Sequence, residues 1–155
     1  MRKPISILTR MATPVTVVCG LLAVCTCASA EPEERHCSNG TIAGDYGWAA
    51  EGELIDLPGL PSEAPFRSVG AAHFDGRGSL TWEEHTVLNG MPLNSGWAMA
   101  NGTYKVNSNC TGTAVVNTPN SRVPLNLFFV VAREGREIRS VLDSNAVSTL
   151  FIKIE

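Results

Sequence analysis

Long apolar runs, clustered positive charge and helical periodicity are all scarce in this sequence, and each scarcity excludes something. The most apolar stretch, about Val15 to Val24, is only some ten residues. A membrane-spanning helix needs ~20, so no membrane anchor is expected. The one basic cluster, Arg133 to Arg139, has Glu134 and Glu137 inside it. Phosphate binding needs clustered Lys and Arg, so nucleic acid is not an expected partner, and the cluster reads as a solvated turn. There is no G-x-S-x-G and no glycine-rich loop leading into a helix with Lys and Ser/Thr. A nucleophile elbow and a phosphate cradle are therefore missing. Beyond the first thirty residues no segment repeats its apolar side chains every 3.6 positions, which argues against an α-helical fold.

Acid is missing from the start of the chain. Residues 1–30 hold no Asp or Glu, and their three charges, Arg2, Lys3 and Arg10, are all positive. The short apolar stretch follows, and Ala28-Ser29-Ala30 precedes Glu31. A charged start, a brief apolar core and a small-x-small site together read as a secretory signal peptide over 1–30. The expected mature part, 31–155, is one domain secreted or held in a periplasm. Cys19, Cys25 and Cys27 suggest lipidation, but Val18, Val24 and Thr26 precede them, where a lipid-modified cysteine follows a small residue. Cleavage changes the charge balance. Removing three of 12 basic residues leaves 9 against 15 acidic ones, a net of −6.

Cleavage also leaves two of the five cysteines, Cys37 and Cys110. In an oxidising compartment a lone pair is most simply a disulfide. The alternatives are a reactive thiol or a metal ligand, against which stand the missing C-x-x-C spacing and the lack of any neighbouring histidine but His36.

What is abundant is turn chemistry. Asp56-Leu57-Pro58-Gly59 to Pro65, Asp75-Gly76-Arg77-Gly78, Asn89-Gly90, Asn107-Ser108-Asn109, Thr118-Pro119-Asn120, Glu134-Gly135 and Asp143-Ser144-Asn145 punctuate the chain at near-even spacing. Between them lie runs rich in Val, Ile, Thr and aromatics. These predict eight strands, at about 42–54, 66–74, 79–88, 95–106, 111–117, 123–132, 136–142 and 146–154. The links are short, so the fold class is all-β: an eight-stranded antiparallel up-and-down barrel, whose closure removes exposed edges. One hairpin can be placed in register. Pairing Phe74 with Leu80 leaves Gly76-Arg77-Gly78 as its loop, sets Ala72 against Trp82 and Gly70 against Glu84, and turns His73 and His85 outward. Small residues opposite aromatics suit a barrel that fits a taper or leaves a cavity.

Several stretches are also familiar. Cys37-Ser38-Asn39-Gly40-Thr41-Ile42-Ala43-Gly44-Asp45-Tyr46-Gly47, the Phe-Asp-Gly-x-Gly that ends at Gly78, Asn89-Gly90, and Gly102-Thr103-Tyr104 through Asn109-Cys110-Thr111-Gly112-Thr113 stand in this order. In this they resemble a group of small secreted bacterial proteins, largely uncharacterised. Its members look like calycin-type barrels, similar in architecture to lipocalins and allene-oxide-cyclase-like cyclases. The resemblance covers most of the mature chain and implies the barrel and the Cys37–Cys110 pairing. It implies no activity and no catalytic residue.

Three functions fit such a barrel. The first is a binding module that holds a small apolar or amphipathic molecule against Tyr46, Trp48, Phe74, Trp82, Glu84 and Tyr104, all expected to face inward. The second is an interaction protein with a packed interior, working through its outer face at Trp97, Met99 and the loop from Leu57 to Pro61. The third is a cyclase-type enzyme in which Glu84, its pKa raised by desolvation, acts with Tyr46 or Tyr104. Secretion counts against the enzyme, because biosynthetic cyclases act where their substrates are made. The milder reading of Glu84 leaves it in water at the barrel mouth or paired with Arg67 or Arg139. No cofactor and no metal are expected: His73 and His85 sit ~13 Å apart along the hairpin, and Arg77 occupies a position where a calcium loop needs oxygen. The sequons at Asn39, Asn101 and Asn109 read as turn and strand residues.

Overall fold

The structure is a computed structural model that describes residues 36–56 and 61–154. The expected signal peptide and residues 57–60 of the Pro-rich loop lie outside the described residues. Among the described residues nine strands form: β1 (Gly44–Ile55), β2 (Glu63–Phe74), β3 (Ser79–Leu88), β4 (Met91–Pro92), β5 (Ala98–Val106), β6 (Thr111–Asn117), β7 (Leu125–Ala132), β8 (Glu137–Leu142) and β9 (Ala146–Lys153). All pairings are antiparallel. The sheet order is β2-β1-β9-β8-β7-β6-β5-β3-β4, and β2 also pairs with β3. Eight strands thus close on themselves, with the last beside the first: Tyr46 faces Lys153 and Glu53 faces Ala146.

The β2–β3 hairpin has the register its sequence dictates, with Phe74 opposite Leu80, Ala72 opposite Trp82, Gly70 opposite Glu84 and His73 opposite Thr81. Its turn is held by one carboxylate. Asp75 Oδ1 accepts the N–H groups of Arg77, Gly78 and Ser79 at 2.7, 2.8 and 2.9 Å.

Besides the later starts of β5, at Ala98 where about 95 was expected, and of β7, at Leu125 where about 123 was expected, three details depart from the expected boundaries. β1 begins at Gly44, because Asn39–Ile42 form a 3-10 turn that buries Ile42 completely. β2 starts three residues early, at Glu63, and takes in Pro65. Its pairing with β3 begins only at Phe66–Leu88. Pro65 therefore lies where β2 has β1 alone beside it, and a missing N–H is tolerated on such an edge. The third is β4, an added two-residue strand that folds back on the end of β3 through Asn89-Gly90, both at positive φ (49° and 78°).

The two ends of the barrel differ. The end where β1 starts is stoppered by the 3-10 turn. Cys37 and Cys110 form a disulfide there, and Cys37 N–H bonds the carbonyl of Ser108 at 3.0 Å. Asn39 Oδ1 accepts the N–H of Val106 at 2.7 Å, and Lys153 Nζ donates to the carbonyl of Ala43 at 2.6 Å. The opposite end is the mouth, formed by the end of β1 and the loops after β4, β6 and β8.

Candidate functional site

Alternation along the strands turns Tyr46, Trp48, Phe74, Trp82, Glu84 and Tyr104 inward, and all six are buried. They divide between the two halves of the interior.

Tyr46, Phe74 and Tyr104 belong to the stoppered half. Phe74 meets both tyrosine rings edge-on, at centroid distances of 5.3 and 5.1 Å. The hydroxyls are taken up by the chain itself. Tyr46 donates to the carbonyl of Gly135. Tyr104 accepts the N–H of Gly76 at 2.9 Å and donates to the carbonyl of Asn39 at 3.3 Å. Burial pushes the Tyr46 phenol up to about 12, and Tyr104 is raised for the same reason.

Trp48, Trp82 and Glu84 lie nearer the mouth. One cross-strand row runs Glu84–Gly70–Trp48–Phe151–Ile138. Gly70 is the gap in that row. A Cβ there would lie 2.7 Å from Cε2 and Cζ2 of Trp48 and collide with the carbonyl of Glu83. The indole of Trp48 therefore lies over Gly70, and Trp82 stacks against it at a tilt, with centroids 5.1 Å apart. The next row toward the mouth is small and polar: Thr86, Ser68, Ala50, Thr149 and Ser140. The Ser68 and Thr86 hydroxyls hydrogen-bond at 2.8 Å.

Glu84 is 4 % exposed and has neither of the expected arginine partners. Its Oε1 accepts the hydroxyl of Thr118, and the Nδ2 of Asn120 at 2.9 Å. Asn120 Oδ1 in turn accepts Asn94 Nδ2 at 2.7 Å. Two mouth loops are thus tied to each other and to one buried carboxylate. Arg67 instead donates to the carbonyl of Phe66 at 2.8 Å, and Arg139 to Glu137 Oε1 at 2.6 Å.

The interior also holds polar atoms with no partner. Trp48 Nε1, Trp82 Nε1 and Ser140 Oγ are all buried and unbonded. Thr118, Asn120, Asn94 and Ser140 are the site residues that sequence reasoning missed. The first three act from loops, whose folding back over a strand leaves no periodic signal. Ser140 has inward parity in β8, but a serine on a strand does not announce a missing partner.

Outside, His73 Nδ1 lies 2.7 Å from Asp45 Oδ1. His85 packs on Trp97, with ring centroids 6.3 Å apart. Among the described residues no three of His, Cys, Asp and Glu gather to hold a metal ion. A concavity lies along the outward side of the described strands. It is a groove of about 1060 Å3 crossing β2, β1, β9, β8, β7 and β6. Outward-facing Val69, Leu150, Val141, Phe128 and Val130 border it, with Arg67 and Arg139.

Compared with models of protein families, with curated proteins and with solved structures, the chain finds no match in any of the three.

Proposed function

We propose that the protein is a secreted or periplasmic binding module that holds a small amphipathic molecule in the mouth-side half of its barrel. The supporting observation is the trio of orphan groups, Trp48 Nε1, Trp82 Nε1 and Ser140 Oγ. Buried polar groups in native proteins are nearly always hydrogen-bonded, so each exception calls for a partner. An indole nitrogen can only donate. The fitting guest therefore presents an acceptor, a carbonyl or ether oxygen, toward the paired tryptophans. Its apolar part would lie along their ring faces and the small side chains of Ala50, Ala72 and Ala98, which face the same interior. A disulfide at the stoppered end suits an oxidising compartment. Among the described residues no helix is long and apolar enough to cross a membrane.

A cyclase-type activity finds less support. The Tyr46 and Tyr104 hydroxyls already serve backbone groups, and Glu84 Oε1 is taken up by Thr118 and Asn120.

A thermal-shift screen of lipids, quinones and polyketide ketones is the test, followed by titration of tryptophan fluorescence. A ligand that stabilises the protein should perturb the emission of the buried indoles. Trp48→Phe and Trp82→Phe, which keep an aromatic ring and remove the donor, should each weaken it about tenfold, one hydrogen bond of ~1–1.5 kcal/mol. Binding that neither variant alters would refute the site, and a screen with no stabilising compound would refute the function.

A further inference from the structure

Buried carboxylates in native proteins are matched by a basic side chain or a metal ion. Glu84, at 4 % exposure, has neither. Among the described residues the ion pairs take up Asp45, Glu51 and Glu137, not Glu84, and no metal-ligating cluster forms. The hydrogen bonds to Glu84 come from neutral groups, and all end on Oε1. Their direction is uniform. Asn94 donates to Asn120, and Asn120 donates to Glu84. The Thr118 hydroxyl accepts the N–H of Asn120 at 3.2 Å and turns its own hydrogen to Glu84. A carboxylate only accepts, and here every donor points to it. Among the described residues Oε2 receives none of them.

We propose that the missing partner is a cation carried by the guest: the ligand of the barrel is a lipophilic amine whose protonated nitrogen donates to Glu84 Oε2. The assignment rests on the reading of the interior as a binding site and adds the class of molecule that it takes.

The surroundings of Glu84 supply the second anchor. Across the ladder Glu84 stands between Gly70 and Ala98, and neither carries a group that could serve Oε2. Over Gly70 lies the edge of Trp48 formed by Cε2 and Cζ2, and Cε2 is the ring carbon bonded to Nε1. Trp82 is two residues along the strand from Glu84, ~6.8 Å away on the same face. The unbonded N–H groups of both indoles thus belong to the same part of the interior as the unserved carboxylate oxygen. An indole N–H takes an acceptor and Oε2 takes a donor. The complementary guest carries both over a short span: an ammonium and a carbonyl or ether oxygen a few bonds apart, on an apolar body. Indole rings are also the aromatic surfaces that attract organic cations best.

The approach to the site has the matching sign. At the mouth Glu53, Asp56, Glu63 and Asp143 are exposed, and among the described residues only Arg122 opposes them there. The stoppered end instead gathers Arg77, Lys105, Arg133, Arg136 and Lys153 against Asp45, Asp75, Glu134 and Glu137. Such a field draws a cation, not an anion, to the mouth.

The experiment is calorimetric titration of the disulfide-intact protein with two series of esters of benzoic, naphthoic and decanoic acid. One series carries a dimethylaminoethyl group, protonated at neutral pH. The other carries isopentyl, its uncharged isostere, beside the same carbonyl. At least one amine ester should bind, about tenfold or more tighter than its isostere. Glu84→Gln keeps an acceptor oxygen for Thr118 and Asn120 and removes the charge. It should abolish the preference and leave any affinity for isopentyl esters unchanged. The paired substitutions Glu53→Gln and Glu63→Gln, at exposed positions of the mouth, should slow association and leave most of the preference in place, and they carry the test if Glu84→Gln fails to fold. Equal affinity for the two series, a preference that survives in folded Glu84→Gln, or one that disappears with the mouth charges overturns the proposal. So does binding of neither series, which would leave the unbonded groups to water alone. A neutral ligand from the screen above that stabilises the protein while the amine esters fail sinks the amine and leaves the proposed function standing.

Discussion

Gly70 shows how much of this structure rests on single positions. It has no side chain because Trp48 already occupies the space: a Cβ would meet that indole at 2.7 Å and the Glu83 carbonyl closer still. Neither neighbour can yield cheaply, since one is sheet backbone and the other is packed against Trp82. Gly70→Ala should therefore destabilise by about 2–3 kcal/mol, as overpacking in a tight core does. Gly96→Ala should be neutral, because nothing stands within 4 Å of the added carbon. Urea unfolding midpoints of the two variants make the comparison. Asp75 is the second such position. Backbone N–H donors, that of Arg77 foremost, hold its carboxyl below the usual carboxylate range. A carboxyl lowered by folding adds stability that is complete above its ordinary pKa and is lost as pH falls through its lowered one. Asp75→Asn should thus cost stability at neutral pH and flatten the acid side of the curve of melting temperature against pH. An acid limb as steep as in the parent would show that the turn carboxylate is not responsible. Tyr46 runs the other way. Its pKa is raised to about 12, so it supports the fold fully below the ordinary phenol value and ceases to do so as pH rises toward 12. Absorbance near 295 nm should show one tyrosine ionising together with unfolding.

At the scale of elements, the strands and the β2–β3 register were legible because alternation and turn chemistry are local. Phe74, Leu80 and Trp82 have inward parity, and Asp75-Gly-Arg-Gly can close only one kind of hairpin. The early start of β2 was not legible. It depends on where β3 ends beside it, and Pro65 in isolation signals a loop. The candidate site divides in the same way. The inward aim of Glu84 follows from its spacing to Leu80 and Trp82. Its partners, Thr118 and Asn120, arrive only when the β6–β7 loop folds over the mouth. The stoppering 3-10 turn is likewise a tertiary element. Ile42 fills the barrel end, and the disulfide pins the segment to the link between β5 and β6. That disulfide spans 73 positions, for which loop-closure arguments give ~4 kcal/mol. Paired Cys37→Ser and Cys110→Ser substitutions should lower stability by that order. They should also speed exchange at the Val106 amide, whose acceptor Asn39 would no longer be held. Unchanged exchange there would mean that the turn seats itself without its anchor.

At the scale of the molecule, closure is the property on which the rest depends. The pairing of β1 with β9 joins residues 93 to 107 positions apart, from Glu53 with Ala146 to Tyr46 with Lys153, and loop entropy opposes such contacts until most of the sheet exists. Folding should therefore be slow for the chain length, in the millisecond-to-second range of barrels rich in non-local pairs. Once formed, the seam leaves β9 with a neighbour on each side, β1 and β8, so it should behave as an interior strand although it is last in sequence. Native-state hydrogen exchange distinguishes this from an open sheet. In a closed barrel the β9 amides should be protected as strongly as those of β6, while β4, which pairs only with the end of β3, should exchange fastest of the strands. In an open sheet β9 would be an edge, with alternate amides exposed and exchanging orders of magnitude sooner. The same comparison bears on the interior, since alternate side chains are enclosed only if the seam holds. Val147 and Phe151 in β9 face the same interior as Trp48 and Trp82. A frayed β9 would let water reach the indoles and red-shift their emission, and a closed one should keep that emission blue until global unfolding.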